Sequence, residues 1–504
     1  MVHREMEKGA AGSRGEDPLP LRVGVLGGDP YDVEETFQLL KIPWAWYRQG
    51  EPFPVVIGAG GPVPAGTDAM DLPDPDLFSR ISRLLNEGED HCRQPEVEVL
   101  LDRLRSVLCR RMVLIEIPPV PWGHPWMAAL THDVDAMSLR ERPPRSVLHV
   151  LGRTLGRGRP SGAVSGALAC LGLGRDPWDL IPHWQELEAR LGVRSTFFFL
   201  PFGGVSGIGS PAIRAGFYTP DPQLLKSLES GGWEAGIHGI DTWADAVKGA
   251  TEVDVFRTMG IAEPGHRAHW LLLDAASWGK LEEEGISYDS SFGYNETIGY
   301  RAGTLQVYRP RGVKRILELP LHIQDMALFG RDCWSVSGAG WEKKGCLRLT
   351  EDTAAEACEE IYAAAGRFGG VVTLLWHTNS PGIPYCLDDF FSAQLERLRK
   401  EGVWIAPARE IVAWFRMRRE VRPVCTLAGD EIHVHLGGFR YHPDLPPLCL
   451  RVHLPPGRIS GVEGESRQAG NAVDIRCDRG DFTIRLAGAA TGEAWLPGGK
   501  VPGC

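Results

Sequence analysis

Residues 127–135 read Met-Ala-Ala-Leu-Thr-His-Asp-Val-Asp. The apolar run Met127–Leu130 predicts a buried strand, and the chain then turns polar and ends on two aspartates spaced by two. Extended chain puts residues i and i+2 on the same side, so Asp133 and Asp135 share one face directly after the strand. Carboxylates held that close resist double ionisation unless a cation separates them, and metal binding with base catalysis is one natural use of such a pair. Taken alone, the fragment reads by default as an Asx turn at a strand end.

The same unit recurs along the chain. Ser195–Leu200 (STFFFL), Glu234–Ile237, Ile316–Leu319 and Val371–Leu375 are short apolar runs, each followed by a helical stretch. Such runs with crossover helices predict parallel strands buried on both faces, and this many of them predicts a closed or nearly closed (β/α) barrel over residues 119–418. Pro118, Pro119 and Pro121 mark its start. Residues 138–175 interrupt the pattern with seven arginines (Arg140, Arg142, Arg145, Arg153, Arg157, Arg159, Arg175) against one acid, Glu141. The insertion reads either as a solvated helical excursion or as an arm contacting an anionic substrate, a lipid headgroup or an acidic partner.

Upstream, residues 21–118 alternate strand and helix signals: Leu21–Leu26, an acidic helix start at Asp32, Pro54–Ile57, Leu77–Leu85, Val97–Leu108 and Met112–Ile117. They predict a small α/β domain behind a disordered tail, 1–20. Gly27-Gly28 does not match the dinucleotide fingerprint and reads as a plain turn. Downstream, Glu431–Leu436, Cys449–Leu454, Ala472–Cys477 and Asp481–Leu486 alternate apolar and polar residues, predicting a sandwich-like antiparallel β domain over 419–504.

Composition sets the outer limits. With 504 residues, 43% hydrophobic and 24% charged, the chain is globular and multidomain. A formal charge of −11 argues against general nucleic-acid binding. Eleven scattered cysteines with no Cys-x-x-Cys pair read as reduced thiols. The polar, Gly-rich start lacks an apolar signal core, and the weakly charged stretch 160–174 is too short to span a bilayer; the expectation is a cytoplasmic protein. Oligomeric state is not legible.

Four further motifs close strand–helix units: Glu234–Trp243 (EAGIHGIDTW), Gly265–Trp270 (GHRAHW), Gly285–Ser291 (GISYDSS) leading to Gly299–Thr304 (GYRAGT), and Thr373–Asn379 (TLLWHTN). A single His at a strand end is usually structural. The ordered series Asp-x-Asp, His, Arg, Asp, His, each member closing a unit at the end where barrels place their active sites, points to chemistry.

In this order the motifs resemble those of the polysaccharide deacetylases with a NodB-homology barrel, carbohydrate esterase family four, over about residues 121–415. The HGID and GxRxHWL motifs and the block Asp289–Thr304 are similar to a divergent branch of that superfamily. The resemblance implies a barrel of seven strands and hydrolysis of a carbon–nitrogen amide bond, foremost N-deacetylation of an amino-sugar substrate. It also implies one divalent ion, zinc first, with manganese or another divalent ion as alternatives.

Carried over by position, it implies that Asp133 is the base that activates the attacking water, Asp135 and His238 are metal ligands, and Arg267 keeps the base ionised. It further implies that His377 is the general acid and that Asp289 orients it. Family members place a second His four residues after the first, where this chain has Thr242. Asp241 is the preferred substitute ligand, ahead of His132 and Asp245, giving a one-His-two-acid site. His132, Trp243, His269, Trp270 and Trp376 are the candidate substrate contacts, the tryptophans as a stacking wall for a sugar, each with core packing as the alternative. His322 and Asp325 follow another strand and are further candidates for the pocket lining, with Tyr218 behind them. Non-sugar amide hydrolysis, and a barrel that binds carbohydrate without metal or catalysis, remain open alternatives.

Overall fold

A computed structural model describes residues 18–60, 69–72, 74–202, 204–205, 215–216, 218–337, 340–454 and 456–487. The expected tail lies almost wholly outside the described residues, as does Cys504.

The centre of the molecule is a ring of parallel strands: β1 Met127–Val134, β2 Thr196–Phe199, β3 Glu234–Gly239, β4 Gly265–Ala268, β5 Tyr288–Asp289, β6 Leu317–Glu318, β7 Ile323–Gln324 and β8 Val371–Leu375. Pairing runs β1-β2-β3-β4-β5-β6 on one side and β7-β8-β1 on the other, every pair parallel. β6 and β7 are consecutive in sequence, so residues 317–324 form one interrupted strand that reaches both neighbours. Counted that way, seven strands close the ring, the number the resemblance implies. A further strand, β9 Trp404–Ala406, pairs with the start of β1 outside it.

The ring forms because its segments are apolar on both faces. Phe197, Phe198 and Phe199 have no exposed surface, and each contributes roughly 1.5–3 kcal/mol of burial. Gly265 opens β4 because nothing larger fits: a Cβ there would lie 2.2 Å from the Tyr288 ring.

Residues near the N-terminus form a parallel sheet, Trp44–Trp46, Val23–Leu26, Val55–Gly58 and Ala69–Met70, with helices Pro30–Leu40, Leu77–Glu87 and Glu96–Cys109. The C-terminal strands form two antiparallel sheets, each completed from the other end of the chain. Leu19–Pro20 pairs with Arg422–Ala428, and Leu114–Glu116 pairs with Leu448–His453. Buried Arg418 ties the parts together, its guanidinium donating to the carbonyls of Ile117 (2.9 Å), Leu39 (2.8 Å) and Gln38 (3.2 Å).

The arginine-rich insertion is a helical hairpin, Pro144–Gly156 and Pro160–Cys170. It is anchored on a small cluster of Ala136, Leu139, Trp178 and Ile383.

Candidate active site

Parallel strands deliver their C-terminal ends to one mouth, and the polar residues of the motifs stand there. Thr378 N–H donates to the Asp133 carbonyl at 3.1 Å, locking the ends of β1 and β8 side by side. A cavity of about 260 Å³ opens between them, lined by Asp133, Asp135, His238, His269, His377 and the aromatic walls Trp178, Trp270 and Tyr385.

Asp133 is held from behind. Arg267 Nη1 lies 3.3 Å from its Oδ1, while Nη2 donates to Ser290 Oγ at 2.9 Å. The guanidinium has no exposed surface and sits over the Phe198 ring at 4.8 Å. The Asp133 carboxylate thus faces a fixed, buried positive charge on one of its oxygens.

Asp135 Oδ1 lies 3.2 Å from His238 Nε2 and 3.5 Å from His269 Nε2. It is nevertheless buried with no aligned hydrogen-bond donor. His238 Nδ1 is 3.0 Å from the Arg267 carbonyl, which can only accept, so Nδ1 carries a proton and Nε2 is the atom turned to the carboxylates. One ligand atom from each of Asp135, His238 and His269 falls within 4.8 Å of the others. An orphaned carboxylate oxygen facing two imidazole nitrogens is the donor set of a two-His-one-carboxylate cation site, and the residues fit a divalent metal.

The electrostatics agree. Burial pushes His269 down to about 4, the Asp135 charge offsetting only part of this, so its ring is neutral and free to ligate at pH 7. Burial would raise Asp135, but contact with His238 and the other histidines facing it, His377 among them, outweigh it and hold its carboxyl well below the usual range. His238 is raised despite burial because Asp133 and Asp135 face it.

His377 stands across the cavity, its Nε2 3.8 Å from Asp135 Oδ2. Its Nδ1 is 2.7 Å from Asp325 Oδ1. Burial alone would depress the imidazolium, yet the Asp325 carboxylate beside it pushes His377 up to about 10. It is therefore an acid at neutral pH.

Several sequence expectations are corrected by this geometry. Asp289 does not touch His377. It accepts from His266 Nδ1 (2.8 Å) and Ser291 Oγ (2.6 Å), and Thr242 Oγ1 closes the same buried chain 2.7 Å from His266 Nε2. The β6–β7 segment lies between β5 and β8, so the Asp289 carboxylate meets the neighbouring β4 instead. Asp241 is not in the ligand cluster. Glu252 draws the backbone N–H groups of Ile240 and Asp241 onto its carboxylate (3.0 and 2.9 Å), and the Asp241 side chain lies 3.7 Å from Lys248. Asp245 caps the helix Ala246–Thr258, accepting from Val247 and Lys248 N–H.

His132 is a core residue. Its ring nitrogens meet Glu188 Oε1 (2.7 Å) and the Trp376 carbonyl (2.9 Å). Trp376 is buried and stacks on Phe390 at 6.1 Å and 12°. Trp243 donates to the Ile240 carbonyl and does not line the cavity. Trp270 does line it, and the backbone at Trp270 and Leu271 is left-handed (φ 63° and 53°), a strained turn that sets both beside His269. His322 is buried between the Thr304 carbonyl and Thr373 N–H, and Tyr218 accepts from Leu200 N–H at 2.9 Å. Both are structural. The reading of the sequence placed His269 with substrate and Asp325 merely near the pocket. A signal for His269 existed: it lies two residues after Arg267, so extended chain sends both to the same face.

No family model matches the chain, and no curated protein matches it. Among solved structures it is similar to a protein assigned as a polysaccharide deacetylase from Mycobacterium smegmatis: 20% identity, 60% of this chain, 95% of that one, TM-score 0.37. It is also similar to Puue allantoinase (14%, 59% and 92%, TM-score 0.38). A third is a family 4 carbohydrate esterase from Streptomyces lividans in complex with acetate (11%, 56% and 91%, TM-score 0.27). The barrel itself is established by the closed ring of paired strands.

Proposed function

We propose that the protein is a metal-dependent hydrolase of a non-peptide carbon–nitrogen amide bond, and that its reaction is removal of an N-acyl group from an amino sugar. One observation carries the reading: a base carboxylate, a cation-type donor set and a protonated histidine line a single cavity. Metal-assisted amide hydrolysis uses those three functions together.

When bound by Asp135, His238 and His269, a divalent ion lowers the pKa of water and polarises the acyl carbonyl. The remaining steps belong to the chain. Asp133 Oδ2 takes the proton of the attacking water, while Arg267 holds its other oxygen in place. His377 Nε2 gives its proton to the departing nitrogen, which as an amide anion could not leave. Asp325 holds that imidazole protonated and oriented through Nδ1. The cavity of about 260 Å³ admits one acylated ring, and Trp178, Trp270 and Tyr385 offer apolar faces for a pyranose to stack on. The same proposal sets the reaction in the cytoplasm, on a nucleotide-linked, lipid-linked or small glycoside.

The test is acetate release from N-acetylated amino sugars and, in parallel, ring opening or acyl release from non-sugar amides. The assays use protein stripped with a chelator and reloaded with zinc or manganese. Metal-dependent acetate release supports the reading. Turnover of non-sugar amides alone overturns the sugar assignment, and equal turnover by stripped and reloaded protein overturns the metal.

A further inference from the structure

The helical hairpin over the mouth has two unlike sides. Toward the barrel, Arg142, His149, Val150 and Arg153 form one wall of the cavity. Away from it stand six large apolar side chains: Leu148, Leu155, Val164, Leu168, Leu171 and Leu173, from 42% to 74% exposed. Eleven such exposed residues are found among the described residues, so this short segment holds over half of them. They are not scattered. Leu148 and Leu155 are seven apart on the first helix, and Val164, Leu168 and Leu171 follow the second at spacings of four and three, each set forming one stripe.

Charge surrounds that stripe, and nearly all of it is positive. Arg145, Arg157, Arg159 and Arg175 are exposed, and none has a carboxylate within ion-pair distance among the described residues. Arg157 and Arg153 rest over the Tyr385 ring, each 5.2 Å from its centre, at the rim of the mouth. This is a positive island on a chain of formal charge −11.

We propose that the hairpin docks the protein on an anionic lipid bilayer, with the leucine stripe in the headgroup boundary and the arginines on the lipid phosphates, so that the cavity opens at the membrane surface. Leucines interleaved with arginines suit that boundary, where apolar side chains find hydrocarbon and cations find phosphate within a few ångströms. Protein–protein interfaces also enrich arginine, but together with aromatic side chains and methionine, and the exposed stripe holds only leucine and valine. A second copy of the chain would set arginines against arginines. No helix among the described residues is long and apolar enough to cross a membrane, so the contact is peripheral. The proposal holds whichever bond the active site cuts.

The test is co-sedimentation of the full chain with phosphatidylcholine vesicles, with and without phosphatidylglycerol, at low and high salt. Two variants accompany it: Leu148→Ser with Leu171→Ser, and Arg145→Glu with Arg159→Glu. All four positions are exposed, and circular dichroism checks that the fold is kept. The expected result is binding to the anionic vesicles that weakens with salt and falls at least about tenfold in each double variant. Absence of binding to anionic vesicles overturns the proposal. So does binding indifferent to both variants, or a dimer in sedimentation velocity that the serine variant dissolves, since a second copy would then cover the face.

Discussion

Asp325 grips His377 at two points: Oδ1 lies 2.7 Å from the imidazole Nδ1, and Oδ2 accepts the His377 backbone N–H at 2.9 Å. The carboxylate follows β7 and the histidine follows β8, so the pairing of these two strands builds the acid of the site. Buried Asp325 is itself lowered, because the charge of His377 outweighs desolvation.

Removing that carboxylate should cost proton donation. Asp325→Asn leaves the His377 imidazolium without its compensating charge, and its pKa falls from about 10 toward or below 6.5. Turnover should drop about 10²-fold or more, and the alkaline limb of the kcat/KM profile should move to lower pH. Asp289→Asn should leave that limb in place. A pH–rate series on both variants reads the difference.

The same pair links stability to pH. His377 has its pKa raised on folding, from 6.5 to about 10. Its contribution to stability is therefore complete below 6.5 and is lost as pH rises toward 10. Thermal unfolding of chelator-treated protein should show that loss, and Asp325→Asn should flatten it.

The ligand set separates His269 from Asp241. His238→Ala, His269→Ala and Asp135→Ala should each lower metal affinity by more than the roughly 10–100-fold that loss of an outer hydrogen-bond partner costs. Asp241→Ala should leave it unchanged. Because His238 is raised by the two carboxylates, metal must displace a proton from it, and calorimetry in buffers of different ionisation enthalpy should detect the release.

Arg267 and Asp133 form a buried charge pair, so breaking it from one side is expensive. Arg267→Met strands the carboxylate and should destabilise the fold by about 3–5 kcal/mol. In the Asp133→Asn background the same substitution should cost less, and denaturant unfolding of the four proteins gives the coupling.

His132 should behave as a core residue. His132→Ala leaves Glu188 Oε1 without its imidazole partner and opens space beside Trp184 and Phe197, whose rings lie 4.3 and 4.8 Å away. A loss of about 3–5 kcal/mol in stability with metal content unchanged is the expected outcome.

The barrel was legible because five of its strands lie in short apolar runs, Ile316–Leu319 at β6 among them, and its motifs sit just past them. β7, two residues long, leaves no periodic trace, and its part in joining β6 to β8 is visible only in the pairing. At the site, residues on the motif strands could be read, but which carboxylate meets which histidine depends on neighbours around the ring. Asp289 and His377 belong to strands that do not touch, and Asp325 and His377 to strands that do. Thr242 drew attention to a missing ligand. Its replacement came from the turn after the next strand, as His269, whose spacing of two from Arg267 was the one local signal for it. Trp178 and Tyr385 line the mouth from the segments that follow the insertion and β8, which carry no strand or helix pattern.

The central claim is a cation held between β1, β3 and the turn after β4. Anomalous diffraction at the metal edge, on crystals of zinc-loaded protein, tests it most directly. The account expects one peak about 2.0–2.2 Å from an Asp135 oxygen, His238 Nε2 and His269 Nε2. A zinc-saturated crystal with the barrel intact and no peak among these three residues would contradict it.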